Sequence, residues 1–152
     1  MAITTGDTAP DFELPDETGT TRKLSELAAA GPVVLFFYPA AMTTGCTRES
    51  CHFRDLAGEF AEVGAQRVGI SGDTVDKQRQ FADKHSFGYP LLSDVDHTVS
   101  TAYDVKRSFG ITPVKRSTFV IDTDLTVLAV IKSEINMNKH ADQALEVLRG
   151  RS

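Results

Sequence analysis

The segment "PVVLFFYP", Pro32 to Pro39, is an unbroken apolar run of β-forming residues ended by proline. That pattern predicts a strand buried on both faces, central in a helix-covered sheet. Beyond it, Phe53, Leu56, Phe60 and Val63 recur at helical spacing and predict a helix from about Gly45 to Val63. "QRVGIS" reads as the next strand, and "DTVDKQRQFADKH" as a helix with Asp73 as N-cap. "YPLLSD" reads as a short strand or turn, and "HTVSTAYDV" as a short helix. "STFVID" and "LTVLAVI" flank Thr123-Asp124 and read as a hairpin. A last helix is predicted from an Asn138 cap to Gly150, with Ala141, Ala144, Leu145 and Leu148 on its apolar face. The opening, "APDFELPDETGTTRKLSEL", reads as short strands around the turn Glu17-Thr18-Gly19.

Alternating strands and helices, then a hairpin and a closing helix, predict an α/β fold: a central mixed sheet with helices on both faces. The length, 152 residues, suits a single domain over residues 1–152 with a core that needs no staple. A net charge of −5 and basic residues that come only in pairs, Lys106-Arg107 and Lys115-Arg116, argue against a nucleic-acid partner. No apolar stretch approaches membrane-spanning length, so no membrane partner is expected. The start, "MAITTGDTAPDFELPD", lacks the basic and apolar regions of a signal peptide, so the expected compartment is the cytoplasm. A structural disulfide is rare there, and a close thiol pair is more often redox-active or metal-binding.

Both cysteines lie in "TTGCTRESC", just after the apolar strand. Cysteine reacts as the thiolate, and a helix N-terminus favours the anion. Cys46 is expected in the first turn, with Thr43 and Thr44 as candidate caps and Gly45 letting a small ligand approach the backbone. The helix dipole supplies at most ~2 kcal/mol, so a fixed cation is also expected. Arg116 is the candidate because it enters the strand "RSTFVID"; Arg48 and Arg54 are nearer in sequence but could equally point to solvent. Taken singly, Cys46 would be a buried small hydrophobe and Arg116 a surface charge. The ordered combination of strand, Pro39, Thr43, Gly45 and Cys46 favours chemistry.

That combination, "YPAAMTTGCTRESC", resembles the peroxiredoxins, whose motif is Pro, three residues, Thr or Ser, two residues and then the peroxidatic Cys. The resemblance extends to "GDTAPDFELPD", "CHFRDL" and "RSTFVID". A second cysteine five residues after the first is similar to the bacterioferritin-comigratory, or peroxiredoxin Q, subfamily. The resemblance implies a thioredoxin-like fold and a thiol peroxidase with no metal, haem or flavin cofactor. Its substrates would be hydrogen peroxide or organic hydroperoxides, its donor thioredoxin or a similar dithiol protein, and its form a monomer, with a dimer as the other possibility. By motif, Cys46 would be the attacking thiolate, Thr43 would orient peroxide and sulfur, and Pro39 would shield the pocket from water. Arg116 would hold the thiolate and stabilise charge as the O–O bond breaks. Glu49 matches the family's acidic residue and would position an arginine; alternatively it only favours the helix N-terminus. The usual proline before Gly-Cys is here Thr44, which leaves an extra N–H and a looser pocket.

Cys51 would condense with the Cys46 sulfenic acid to form a disulfide. On the helical wheel it shares a polar stripe with Asp55, Gly58 and Glu62, so it is expected to be exposed, whereas Cys46 lies with Phe53, Ala57 and Phe60. Residues five apart in a helix have Cα atoms roughly 8.7 Å apart. A disulfide needs less than about 7 Å. Bonding the two therefore requires the helix to open, between about Thr44 and His52.

Two other readings compete. A zinc site from Cys46, Cys51 and His52 has too few ligands, and they diverge; His52 is expected at the surface, while His85, His97 and His140 are scattered. A non-enzymatic redox sensor or thioredoxin-fold adaptor would use the same thiol without turnover. The cysteines do not form C-x-x-C, and "GISGD" lacks the spacing of a phosphate loop.

Overall fold

The computed structural model describes residues 3–106 and 114–151, so Arg107 of the first basic pair lies outside the described residues. A hairpin of β1 (Glu13–Pro15) and β2 (Thr21–Lys23) leads into α1 (Leu24–Ala30) and the central strand β3 (Val33–Phe37). Then follow α2 (Thr44–Asp55), α3 (Ala57–Glu62), β4 (Gln66–Ser71), α4 (Val75–His85), β5 (Leu91–Ser93) and α5 (Thr98–Ala102). The chain closes with β6 (Ser117–Ile121), β7 (Val127–Lys132) and α6 (Met137–Arg149). The main sheet has the order β5-β4-β3-β6-β7; β3, β4 and β5 are parallel, and β6 and β7 are antiparallel to their neighbours. It is the mixed sheet that the strand and helix pattern predicts.

Every residue of β3 is buried because the strand feeds two cores. Val34 and Phe36, with Tyr38 beyond them, join Phe53, Phe60, Phe81 and the apolar stripe of α6 on one face. Val33, Leu35 and Phe37 join Leu24, Ala28, Val99 and Tyr103 on the other. The two-residue period of a strand divides them. No helix among the described residues is long and apolar enough to cross a membrane.

Several boundaries differ from expectation. The single helix Gly45–Val63 is two, α2 and α3, broken at Leu56 (φ −95°, ψ 20°). Gly58 weakens continuation, and the bend keeps Phe53 and Phe60 stacked at 5.8 Å. Thr74, rather than Asp73, caps α4 by accepting from the Lys77 amide. Asp73 is occupied: its carboxylate accepts from the Ala41 amide (2.6 Å) and the Ser71 hydroxyl (2.7 Å). Asn136, rather than Asn138, caps α6 through the Lys139 amide. The segment "LSEL", expected within the opening strands, instead begins α1, which buries Leu24 and Ala28 one turn apart.

Candidate active site

The chain leaves β3 at Phe37, passes the buried Pro39 and enters α2 after Met42, which has a left-handed φ of 71°. Thr43 occupies the N-cap position, but its hydroxyl donates to the Ala40 carbonyl (2.8 Å) and makes no cap bond. The Asp73 carboxylate on the Ala41 amide ties this loop to the end of β4. Thr44 begins the helix and is exposed. Cys46 is the third helical residue, among the first N–H groups that a helix leaves without an internal acceptor. Its side chain is wholly buried.

Arg116, just before β6, reaches across to it: Nη2 donates to Cys46 Sγ at 3.2 Å, and Nη1 donates to Glu49 Oε1 at 2.7 Å. The antiparallel register, Phe37 opposite Ser117, brings residue 116 to the carboxyl end of β3. Gly45 permits the approach, since a Cβ there would meet Nη2 at 3.3 Å. The glycine thus admits the arginine, not only a ligand. The Arg116 amide donates to Glu134 Oε1 (2.9 Å), fixing the strand entrance. Burial opposes the charge on Arg116, but Glu49 and Cys46 outweigh it and raise its pKa. Of the nearer cations, Arg48 is exposed and Arg54 donates to Asp55 and the His85 carbonyl.

Glu49 is fully buried, not a surface acid at a helix end. Burial pushes its carboxyl up to about 8 against the pull of Arg116. Its Oε2 has no hydrogen-bond partner among the described residues and lies 3.6 Å from His140 Nδ1. His140 was not marked by any spacing in the sequence, yet it sits beneath the pair. Its Nε2 donates to the Ser133 carbonyl (2.9 Å), so in the neutral ring Nδ1 accepts from the Thr118 hydroxyl (2.7 Å). Burial, reinforced by the charge on Arg116, moves its pKa down. A neutral histidine therefore backs a glutamate that holds an arginine on the thiol.

Cys51 departs from the expected exposure: it is half-buried against the edge of the core, with Sγ 3.8 Å from His85 Nδ1. The helical wheel describes α2 alone, and the end of α4 covers that side. His52 faces another way, with Nε2 2.7 Å from Asp142 Oδ1 on α6. The three residues of the zinc reading thus have separate partners, and no cluster of three or more His, Cys, Asp or Glu suited to a metal occurs among the described residues. Both cysteines are free thiols.

The arrangement sets a buried thiol against a fixed guanidinium at a helix start, with a second thiol five residues on. Residues 5–130 match the AhpC/TSA family. The chain is 38% identical to peroxiredoxin Bcp of Bacillus subtilis over 157 aligned positions, covering 100% of this chain and 99% of that one. The crystal structure of peroxidoxin BcpB from Mycobacterium tuberculosis superposes with a TM-score of 0.94 at 63% identity, covering 99% of each chain. A Xanthomonas campestris bacterioferritin comigratory protein, studied in complexes that concern its alkyl peroxide reduction, gives a TM-score of 0.84 at 30% identity, covering 98% of this chain and 96% of that one.

Proposed function

Because the chain belongs to the AhpC/TSA family and is a peroxiredoxin, a thiol peroxidase of thioredoxin-like fold, we propose that it reduces hydrogen peroxide and organic hydroperoxides through Cys46 and Cys51. The observation that carries this reading is the 3.2 Å bond from Arg116 to Cys46 Sγ, buried at the start of α2. The Cys46 thiolate attacks one peroxide oxygen, the O–O bond breaks, and water or alcohol leaves as sulfenic acid forms. Arg116 donates to the sulfur and offers donors to the departing oxygen, a preorganised charge in a dry site. Glu49 aims the guanidinium. Pro39 and the buried Ala41 exclude water, and Thr43 orients the peroxide, whose access needs the loop before α2 to give way.

Cys51 then displaces hydroxide from the Cys46 sulfenic acid, giving a disulfide and water. With both cysteines in one regular helix this cannot happen, so α2 opens from Thr44 to about His52. Three contacts support that limit. The Phe53 ring stacks on Phe36 at 4.1 Å, its carbonyl accepts from Arg67, and Arg54 holds the His85 carbonyl. Thioredoxin or a similar dithiol protein in the cytoplasm would reduce the disulfide, with the 152-residue chain acting as one domain and as a monomer or dimer.

Thiol counting before and after one equivalent of peroxide tests the reading, followed by mass spectrometry of the linkage. Loss of both thiols to an internal Cys46–Cys51 bond, reversed by thioredoxin with continued peroxide consumption, is the expected result. Two surviving thiols, or consumption unaffected by loss of Cys46, would refute it.

A further inference from the structure

The second thiol has a partner of its own. His85 is the last residue of α4, and its Nδ1 faces Cys51 Sγ at 3.8 Å. The ring is fixed edge-on to Phe81 (5.5 Å, 86°) and stacked on Phe87 (5.4 Å, 26°). Its carbonyl accepts from Arg54 Nη1 (2.8 Å), so α2 also holds the backbone of this residue. The charged groups around the pair are Arg54 and Asp55 on α2 and Lys84 on α4. Nearby, the Tyr89 hydroxyl donates to the Ser50 carbonyl.

We propose that His85 is the general base that takes the Cys51 proton when the disulfide forms. This rests on the reading of Cys51 as the resolving thiol. The proton on Cys51 passes to Nδ1, and the freed sulfur pair attacks the Cys46 sulfur. The Cys46 S–O bond breaks, and hydroxide leaves as water by taking a proton from the imidazolium or solvent. The sulfenic sulfur is reduced and the thiol sulfur oxidised, so no further oxidant enters. Burial pushes the Cys51 thiol up, more than Arg54 lowers it; burial, Lys84 and Arg54 push His85 down. The resting pair is therefore a neutral thiol on a neutral imidazole: a base ready to act, not a standing ion pair. Cys51 lies in the segment that opens, whereas Arg54 lies in the part that stays. The bond from Arg54 to the His85 carbonyl thus keeps the base beside Cys51 as opening begins.

The test is the rate of disulfide formation after a single peroxide pulse, followed by acid quench and intact mass. Wild type, His85→Gln and His85→Ala are compared across pH, with circular dichroism to check folding. His85→Gln keeps a polar group of similar size but takes no proton. Both variants should condense about 100-fold more slowly. The loss should fall on condensation and not on the first oxidation read in the same samples. The wild-type rate should level off above the imidazole pKa, while the variants keep rising towards that of the thiol. Added imidazole should restore much of the rate in His85→Ala. Folded variants that condense as fast as wild type would overturn the proposal. So would a slowing that imidazole does not relieve and that leaves the pH profile unchanged. Cys51→Ser distinguishes failure of the resolving role from failure of the base. If it turns over normally with a dithiol donor, the resolving role fails, and the base with it. If it stalls as sulfenic acid while the His85 variants condense normally, only the role of His85 fails.

Discussion

Cys46 and Cys51 share one helix but stand in opposite surroundings. Cys46 is sealed in the core with a guanidinium on its sulfur, backed by Glu49 and His140. Cys51 is half-buried beside a neutral imidazole, and burial favours its protonated form. One thiol faces a guanidinium, the other an imidazole. The helix that sets Cys46 against Arg116 also holds it away from Cys51. A single rigid arrangement therefore cannot serve both steps of the proposed reaction.

The sharpest division comes from removing each thiol. Cys46→Ser should abolish peroxide reduction, whereas Cys51→Ser should keep the first oxidation, accumulate sulfenic acid and lose turnover with a dithiol donor. Peroxide consumption together with trapping of sulfenic acid by a dione reagent separates the two. A fast first step in Cys46→Ser and none in Cys51→Ser would reverse the roles.

The cation comes next. Arg116→Met keeps much of the packing but removes the donor aimed at the sulfur. It should slow the first oxidation by roughly 100- to 1,000-fold, the scale for one preorganised donor site. Alkylation of Cys51 should be unaffected. An unchanged rate of peroxide attack would take Arg116 out of the site.

Glu49 gives the comparison a pH axis. Its folded value of about 8 lies above the ordinary 4.5, so between those limits the reduced folded form binds more protons than the unfolded chain. That contribution to stability is fully present at the acid end and is lost as pH rises towards 8. Denaturant titrations of the reduced protein should show this decline in wild type and its loss in Glu49→Gln. Parallel curves for the two proteins would mean that Glu49 is ionised where it stands.

A smaller effect is expected at Tyr89, whose hydroxyl donates to the Ser50 carbonyl in the middle of α2 (2.7 Å). Tyr89→Phe should cost about 1 kcal/mol of stability and speed disulfide formation, because the reduced helix loses a restraint that the opened one does not have. Stability from urea melts and the condensation rate after a peroxide pulse would both report it.

What could be read in the chain itself was local. The apolar run of β3, the stripe of α6 and the order Pro39, Thr43, Gly45, Cys46 are contiguous signals, and the structure assembles them at one end of the central strand. Arg116 was reachable by pairing two strands. The rest depends on contacts across the fold. Nothing near Asp73 in sequence says that its carboxylate serves the Ala41 amide 32 residues away rather than a helix cap. His140 and His85 carry no spacing because their partners, Glu49 and Cys51, sit on another helix. The wheel that placed Cys51 on an exposed face treated α2 as isolated. Short elements carry little pattern: the seven residues of α1, and Asn136 and Asn138 two positions apart at the start of α6, do not decide between neighbours by sequence alone.

The claim that binds these regions together is that α2 must open for the two thiols to meet. Amide hydrogen exchange, measured on the fully reduced protein and on the fully Cys46–Cys51 bonded protein, tests it most directly. The account predicts strong loss of protection in the bonded form from Thr44 to about His52, with protection retained from Phe53 onward and in β3. Equal protection of Thr44–His52 in the two forms would contradict it.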